Sequence, residues 1–396
     1  LSGLLPVLLH PNPTRMAIVG FGSGVTSDAA LSFPELKRLE MIELEPAVVE
    51  AGELFAAVNH RPWEDPRYIG IFDDGRNHLT RPGQPFDIII SEPSNPWITG
   101  ASNLFTQEFW TLARDRLAEG GVFLQWVQLY ELSTDRIRTL MGTFQSVFPH
   151  VLVFAAHPES NDTLVIGSVN PLALDERLLR KRWSSPSVRA NLIRADIRSP
   201  LDVLPLLLMD TQELRGFVGN ATLNTDDNMY VELHAPRDLI AFSQKEPELP
   251  FLTGLAGKRA PLIERNTRFD TTWQGAQLQL ALADVMFRSG MMEDARVYAS
   301  QLVGMGEPYE SARTRITEAI DVLMGDDELP VGDEALVRAG DETYTKALRL
   351  MVENHDAKAL QVLEAAPGFE RISPSHRLLF AYLLYRNNWR YRSREM

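Results

Sequence analysis

The sequence predicts an α/β fold, a parallel sheet of seven strands wrapped by crossover helices, followed by an all-α domain. Three observations predict it. Short apolar runs alternate with helix-length segments from Met16 to about Ser168, a glycine-rich turn follows the first run, and beyond Thr267 apolar residues recur only at helical spacing.

The strand runs are Met16–Val19, Leu39–Ile42, Tyr68–Ile71, Phe86–Ile90, Val122–Trp126, Val151–Phe154 and Thr163–Ile166. Most are nearly continuous apolar runs bounded by polar or turn-forming positions, as strands covered on both faces require. Between them, Pro46–Ala57, Thr106–Leu117 and Thr134–Phe148 have helical length and end near Gly, Pro or polar clusters. Residues 170–239 turn irregular and helical, until the turn Asn224-Thr225-Asp226-Asp227-Asn228 leads into Met229–Leu233, which alternates like a strand. Residues 244–266, with Pro247, Pro250, Gly254, Gly257 and Pro261, read as a linker, so the expected domains are 1–243 and 267–396. In the second domain Leu278, Ala281, Leu282 and Val285 share a helix face, Gly290 interrupts it, and Ala295, Tyr298, Ala299 and Leu302 resume it. Ala347, Leu348, Met351, Ala359, Leu360 and Leu363, then Leu378, Leu379, Ala381, Tyr382 and Tyr385, repeat the theme. The pattern is similar to a tetratricopeptide-like array and fits a plain helical bundle equally.

Composition narrows the function. With 39 basic against 53 acidic side chains, a net charge of −14, the protein repels a phosphate backbone and suits a cationic ligand, so nucleic acid is disfavoured as a partner. The absence of cysteine excludes disulfides, thiolate catalysis and zinc-thiolate sites. The 8 histidines show no paired ligand spacing, and no metal is expected. No Gly-x-Ser-x-Gly elbow supports a hydrolase. No run approaches the ~18 apolar residues of a membrane span, and no signal-peptide pattern opens the chain. The expected location is therefore the cytoplasm. The chain starts at Leu1 inside a Leu-rich phrase, which reads either as trimming or as a piece of something longer.

The chemistry-bearing residues fall at strand ends. After the first run comes Gly20-Phe21-Gly22-Ser23-Gly24, where glycines let the backbone turn sharply and approach a ligand. The spacing differs from the pyrophosphate-binding Gly-x-Gly-x-x-Gly, so a nucleoside without phosphates fits better. Glu43 ends the second strand about twenty residues on, where this architecture places an acid for the ribose hydroxyls. Glu45 falls on the opposite face and reads equally as a surface acid. Asp73-Asp74-Gly75 ends the third strand, and an acid there, Asp74 in preference to Asp73, can accept from an adenine amino group. The fourth strand delivers Ser91-Glu92-Pro93-Ser94-Asn95-Pro96-Trp97, a stiff polar loop with a carboxylate, an amide and an indole, to the carboxyl edge of the sheet.

Leu5-Pro6, His10-Pro11-Asn12-Pro13, Met16 to Gly24, Ile42-Glu43-Leu44-Glu45, Asp74-Gly75, Phe86 to Ile90 and Leu104-Phe105-Thr106-Gln107-Glu108-Phe109 together resemble the spermidine synthase (polyamine aminopropyltransferase) family over roughly Leu4 to Ser168. The resemblance implies a Rossmann-like fold of the class I methyltransferase type, with decarboxylated S-adenosylmethionine as donor, an amine as acceptor and methylthioadenosine as product. It makes 1–243 the nucleoside-binding catalytic domain. Glu43 would hold the ribose and Asp74 the adenine, with Gly20, Phe21, Gly22, Ser23, Gly24, Gly75, Ser91 and Trp97 around the donor. Glu92 would be the base that takes a proton from an amine whose ordinary pKa is near ~10, with Asn95 beside it. The aromatic faces of Phe21 or Trp97 would stabilise the sulfonium. Where the family has Asp-Ser-Ser-Asp-Pro, this chain has Glu92-Pro93-Ser94-Asn95-Pro96. The base is one methylene longer and the second acid has become a neutral amide. The family's N-terminal hairpin, with its glutamine and Tyr-His-Glu segment, has no counterpart before Leu1.

The sequence is most similar to divergent members, with which it also shares Asn224-Thr225-Asp226-Asp227, Glu232 and Ala235-Pro236-Arg237; some of these carry an N-terminal multi-span membrane region. That similarity leaves open a soluble part of an inner-membrane protein. A homodimer, and a protein partner on the C-terminal helices, are open too. Two other functions compete: an S-adenosylmethionine-dependent methyltransferase, because Ser94-Asn95-Pro96-Trp97 resembles an amino-methylating loop without its second proline, and a non-catalytic nucleoside-binding scaffold.

Overall fold

Strand β1 (Arg15–Val19) is flanked by β2 (Arg38–Glu43) and β4 (Phe86–Ser91), and β3 (Tyr68–Phe72) lies beyond β2. On the other side β5 (Leu117–Gln128), β7 (Asp162–Ser168), β6 (His150–Ala155) and β9 (Leu207–Asp210) complete the sheet, in the order β3-β2-β1-β4-β5-β7-β6-β9. The two-residue strands β8 (Leu174–Asp175) and β10 (Thr267–Arg268) pair separately. The computed structural model describes residues 1–157, 162–242, 257–270, 275–324, 343–347, 350 and 356–365. The chain divides into two compact units, Leu1–Thr271 and Thr272–Met396.

The expected sheet of seven strands is corrected to eight. The eighth is β9, within Pro205-Leu206-Leu207-Leu208-Met209-Asp210, whose leucines carry no strand signal of their own and become extended by pairing with β6. Strands β1 to β5 are parallel, as helical crossovers dictate, but β7 pairs antiparallel with both β5 and β6. Only residues 156–161 separate β6 from β7, too few for a crossover. Met229–Leu233, expected as a strand, belongs instead to the turn and first residues of the helix Tyr230–Phe242. Asn228 Oδ1 accepts from Thr225 N–H at 3.0 Å and from Tyr230 N–H at 3.0 Å, which nucleates that helix, and five alternating residues cannot outvote it. Of the stretch read as a linker, Pro247, Pro250 and Gly254 lie outside the described residues, and Arg259–Asn266 is helical. That helix is tied to β9 through Asn266 Nδ2 and Asp210 at 2.9 Å.

Two layers bury the sheet. On one face the helices Gln107–Asp115 and Thr134–Val147 bring Phe109, Trp110 and Phe144 onto Phe123 and Phe148, with Phe123 and Phe148 stacked at 5.4 Å and Trp110 edge-on to Phe144 at 5.1 Å. Each buried ring is worth roughly 1.5–3 kcal/mol of transfer free energy. On the other face the N-terminal helix Leu5–Leu9 is wholly buried. Arg182, only 2% exposed, holds it there: its guanidinium donates to the carbonyls of Val7 and His10 and pairs with Glu35 at 3.2 Å. Burial lowers the Arg182 pKa, but a guanidinium stays protonated and the carbonyls compensate its charge.

Among the described residues the second unit has helices Gly275–Arg288, Met292–Ser300, Tyr309–Met324 and Asp356–Glu364. Leu282, Val285, Ala295, Tyr298, Ala299 and Leu302 are buried, as their spacing requires, and Gly290, at φ 76°, terminates the first helix. Leu348, Met351 and the Leu378 to Tyr385 phrase lie outside the described residues. Among the described residues no helix is long and apolar enough to cross a membrane.

Candidate active site

The strand order reverses between β1 and β4, and ligands of open α/β sheets bind in the crevice at the carboxyl ends of the strands there. β1 ends in Gly20, Gly22 and Gly24, all left-handed, with φ 97°, 55° and 78°. A Cβ on Gly20 would sit 2.6 Å from the Glu92 carbonyl oxygen, so the glycine is what lets the β1 and β4 loops touch. Glu92 continues the ladder, its N–H donating to Val19 at 2.9 Å. The structure therefore brings the glycine turn and the candidate base together.

Glu43 leaves β2 beside that turn. Its Oε2 accepts from Phe21 N–H at 2.9 Å and its Oε1 from Glu45 N–H at 3.0 Å. One carboxylate thus pins the loop and keeps lone pairs for further donors, since a carboxylate accepts about four hydrogen bonds. Glu45 caps the helix Pro46–Ala51 by accepting from Ala47 N–H at 3.2 Å, which accounts for it structurally. Phe21 contributes its backbone, while its ring is 4% exposed and packed against Gly24, Gly52 and Trp63. Ser23 is held through its carbonyl by Asn59 Nδ2 at 2.8 Å. Asn59, fully buried and also bonded to Gly52 and Arg61, braces the loop, and its sequence surroundings give no sign of this.

After β3, Asp74 caps the helix Gly75–Thr80, its Oδ1 accepting from Asn77 N–H at 2.8 Å. Asp73 is bound to Arg81 at 2.7 Å and to Asp74 N–H at 2.9 Å. Gly75 is required because a Cβ there would lie 2.4 Å from Val19 Cγ1, and this contact draws Asp74 to the end of β1.

The β4 loop carries the remaining candidates. By strand alternation Ser91 and Glu92 point to opposite faces. Ser91 is buried beside Gln125, which donates to the Ser91 carbonyl at 3.3 Å and accepts from Trp110 Nε1 at 2.9 Å. Asn95 hydrogen-bonds the Tyr130 hydroxyl, and Trp97 meets the Tyr130 ring edge-on at 6.0 Å. Burial first, and the Asp162 charge second, push the Tyr130 pKa up, keeping the phenol protonated. Tyr130 was not legible as a site residue in the sequence.

Segment 224–232 clamps the far end of this loop. Glu232 accepts from Thr99 Oγ1 at 2.7 Å and Ser102 Oγ at 2.5 Å. Asn224 donates to the Phe105 carbonyl at 3.0 Å and accepts from Gln107 N–H at 2.9 Å. Asp226 pairs with Arg76, at the start of the helix capped by Asp74, and the Arg76 hydrogen bond holds its carboxyl below the usual range. Among the described residues no cluster of three potential ligands could hold a metal.

Residues 3–168 match the model of the spermine/spermidine synthase domain. The chain carries a spermidine synthase-like domain. This domain is similar to the polyamine aminopropyltransferase of Bacillus subtilis, 26% identical over 43% of this chain and 64% of that protein. It is also similar to that of Thermococcus onnurineus, 30% identical over 38% of this chain and 53% of the relative. The chain thus spans between half and two thirds of these relatives' length. A crystal structure of spermidine synthase from Thermotoga maritima aligns with 60% of this chain and 72% of its own, at 19% identity and a TM-score of 0.37.

Proposed function

We propose that the synthase-like domain moves an aminopropyl group from decarboxylated S-adenosylmethionine to an amine and releases methylthioadenosine. The observation that carries this reading is the contact of Gly20 with Glu92, with Glu43 fixed to the same glycine turn. It supports reading Glu43 as the ribose acceptor and Glu92 as the base, because both residues are tied to one glycine turn. The donor fits the residues present. Glu43 has lone pairs left for two hydroxyls, Asp74 has one carboxylate oxygen outside its cap, and Gly22 has open space around it.

Glu92 takes a proton from the ammonium of the acceptor. The freed nitrogen lone pair attacks the aminopropyl methylene bonded to sulfur, the C–N bond forms as the C–S bond breaks, and the electron pair stays on sulfur as a neutral thioether. Loss of the sulfonium charge makes the step downhill, so positioning is the protein's main task. The net charge of −14 favours capture of a cationic acceptor. We place the reaction in the cytoplasm, and read the C-terminal helices as a tetratricopeptide-like surface for a protein partner.

The test incubates the protein with decarboxylated or intact S-adenosylmethionine and a panel of amines, following products by mass spectrometry with Glu92→Gln as control. Amine-dependent methylthioadenosine that disappears in the variant supports the reading. S-adenosylhomocysteine would replace it with methyl transfer, and nucleoside binding without either product would replace it with a binding module.

A further inference from the structure

Strand β3 ends the sheet, and among the described residues only β2 pairs with it. The Arg67 carbonyl accepts from Leu39 N–H at 2.9 Å and Asp73 N–H donates to the Glu43 carbonyl at 3.1 Å, so the odd-numbered residues turn their peptide groups to β2. By the alternation of a parallel ladder, Tyr68, Gly70 and Phe72 turn theirs outward. Tyr68 N–H is given to the Asp65 carbonyl at 3.0 Å, but neither Gly70 N–H nor Phe72 N–H has a partner among the described residues. Edge strands are usually guarded by a charge, a proline or a bulge, and Tyr68-Ile69-Gly70-Ile71-Phe72 has none of these. Gly70 is exposed, as is Phe72 at 60%.

Outward from Gly70 the strand is self-complementary: Ile69 mirrors Ile71, Tyr68 mirrors Phe72, and Arg67 mirrors Asp73. We propose that β3 is a homodimer interface, at which two copies of this chain join their sheets antiparallel on a twofold axis through Gly70. The proposal does not depend on the transfer reading. This register sets β-branched against β-branched, aromatic against aromatic and a cation against an anion. It also matches the outward peptide groups: Gly70 exchanges hydrogen bonds with the partner's Gly70, and Phe72 N–H reaches the carbonyl of the partner's Tyr68. The adjacent registers that keep outward groups in opposition are worse. An axis through Ile69 opposes Asp65 to the partner's Asp73 and Phe72 to the partner's Pro66, which has no N–H. An axis through Ile71 opposes Tyr68 and Ile69 to the partner's Asp74 and the partner's Asp73. Leu44, 69% exposed, follows the ladder partner of Phe72 and adds apolar surface at each end of the pairing.

Sedimentation velocity of the full chain tests the dimer, and cysteine cross-linking tests its register. The native chain is expected to sediment as a dimer at micromolar concentration, and Phe72→Lys, which guards the edge with a charge, to raise the dissociation constant at least about tenfold. The chain has no cysteine, so a single introduced thiol reports its own position. In Gly70→Cys the two thiols face each other across the axis with Cα atoms about 5.5 Å apart, and a short bismaleimide is expected to join them. In Phe72→Cys roughly four residues of strand, on the order of 14 Å, separate them, and the same reagent is expected to leave them unjoined. A Cβ at Gly70 meets Tyr68 Cε1 at 3.5 Å, an ordinary contact, and Phe72 is exposed, so both positions accept the changes; thermal melting checks each variant. A native chain that stays monomeric at about 100 µM, or a Phe72→Lys dimer as tight as the native one, overturns the proposal. Equal cross-linking of the two cysteine variants, or a dimer in which neither cross-links, overturns it as well.

Discussion

The Glu232 carboxylate lies 2.7 Å from the Thr99 hydroxyl, so a helix far downstream in sequence sets the loop that follows Glu92. With the second bond to Ser102, this holds the loop that would form the outer wall of the proposed acceptor site. Glu232→Ala should lower kcat/KM for the amine about tenfold, the order of one charge-assisted hydrogen bond, while methylthioadenosine affinity stays within about twofold. Steady-state kinetics beside calorimetry separates the two. A parallel fall in both would mean that the helix merely supports the fold.

Glu43→Gln places an NH2 donor against one of two backbone N–H groups, Phe21 or Glu45. Methylthioadenosine binding should weaken at least about tenfold, since a hydrogen bond to a charged group is worth ~1.5–3 kcal/mol. Unchanged affinity would remove Glu43 from the nucleoside site.

Gly20→Ala is expected to act on Glu92. The new Cβ meets the Glu92 carbonyl at 2.6 Å, in a backbone with φ 97° that disfavours side chains. Stability should fall by about 1–2 kcal/mol or more, and turnover on the order of a hundredfold, the usual effect of an ångström-scale misplacement. Denaturant unfolding and product formation check the two halves.

Asp87 joins β4 to the start of β1, accepting from Thr14 N–H at 2.7 Å, Thr14 Oγ1 at 2.8 Å and Arg15 N–H at 2.9 Å. Burial raises its pKa, but these donors outweigh burial and hold it below the usual carboxylate value. A depressed folded pKa stabilises fully above the unfolded value, near ~4, and that contribution is lost as pH falls through the folded value. Asp87→Asn should therefore cost about 1 kcal/mol at neutral pH and flatten the acid limb of the stability curve. Denaturant midpoints taken down to about pH 2 measure it.

How much of this was legible follows from the range of each interaction. Gly20 to Gly24, Glu43 and Asp74 stand at the ends of runs whose apolar pattern marks them as strands, so local sequence places them at one edge. Asn59, Tyr130 and Glu232 work through partners 30 or more residues away, and no local pattern encodes them. β9 failed for a related reason: its leucines suit helix and strand alike, and only the β6 edge decides. The Phe21 ring, expected as a face for the sulfonium, is committed to Gly52 and Trp63, a packing that proximity in sequence does not reveal.

The match to the family model ends at residue 168, before the strand β9 at the margin of the sheet. β9 is short and irregularly registered, a modest bandage over the outer margin of β6. Without it that margin would be a row of bare amides and carbonyls, a template on which a foreign strand can add itself. A fragment trimmed at residue 168 would keep every candidate site residue and still be prone to self-association. In this chain the family-model match and the eight-stranded sheet end at different places.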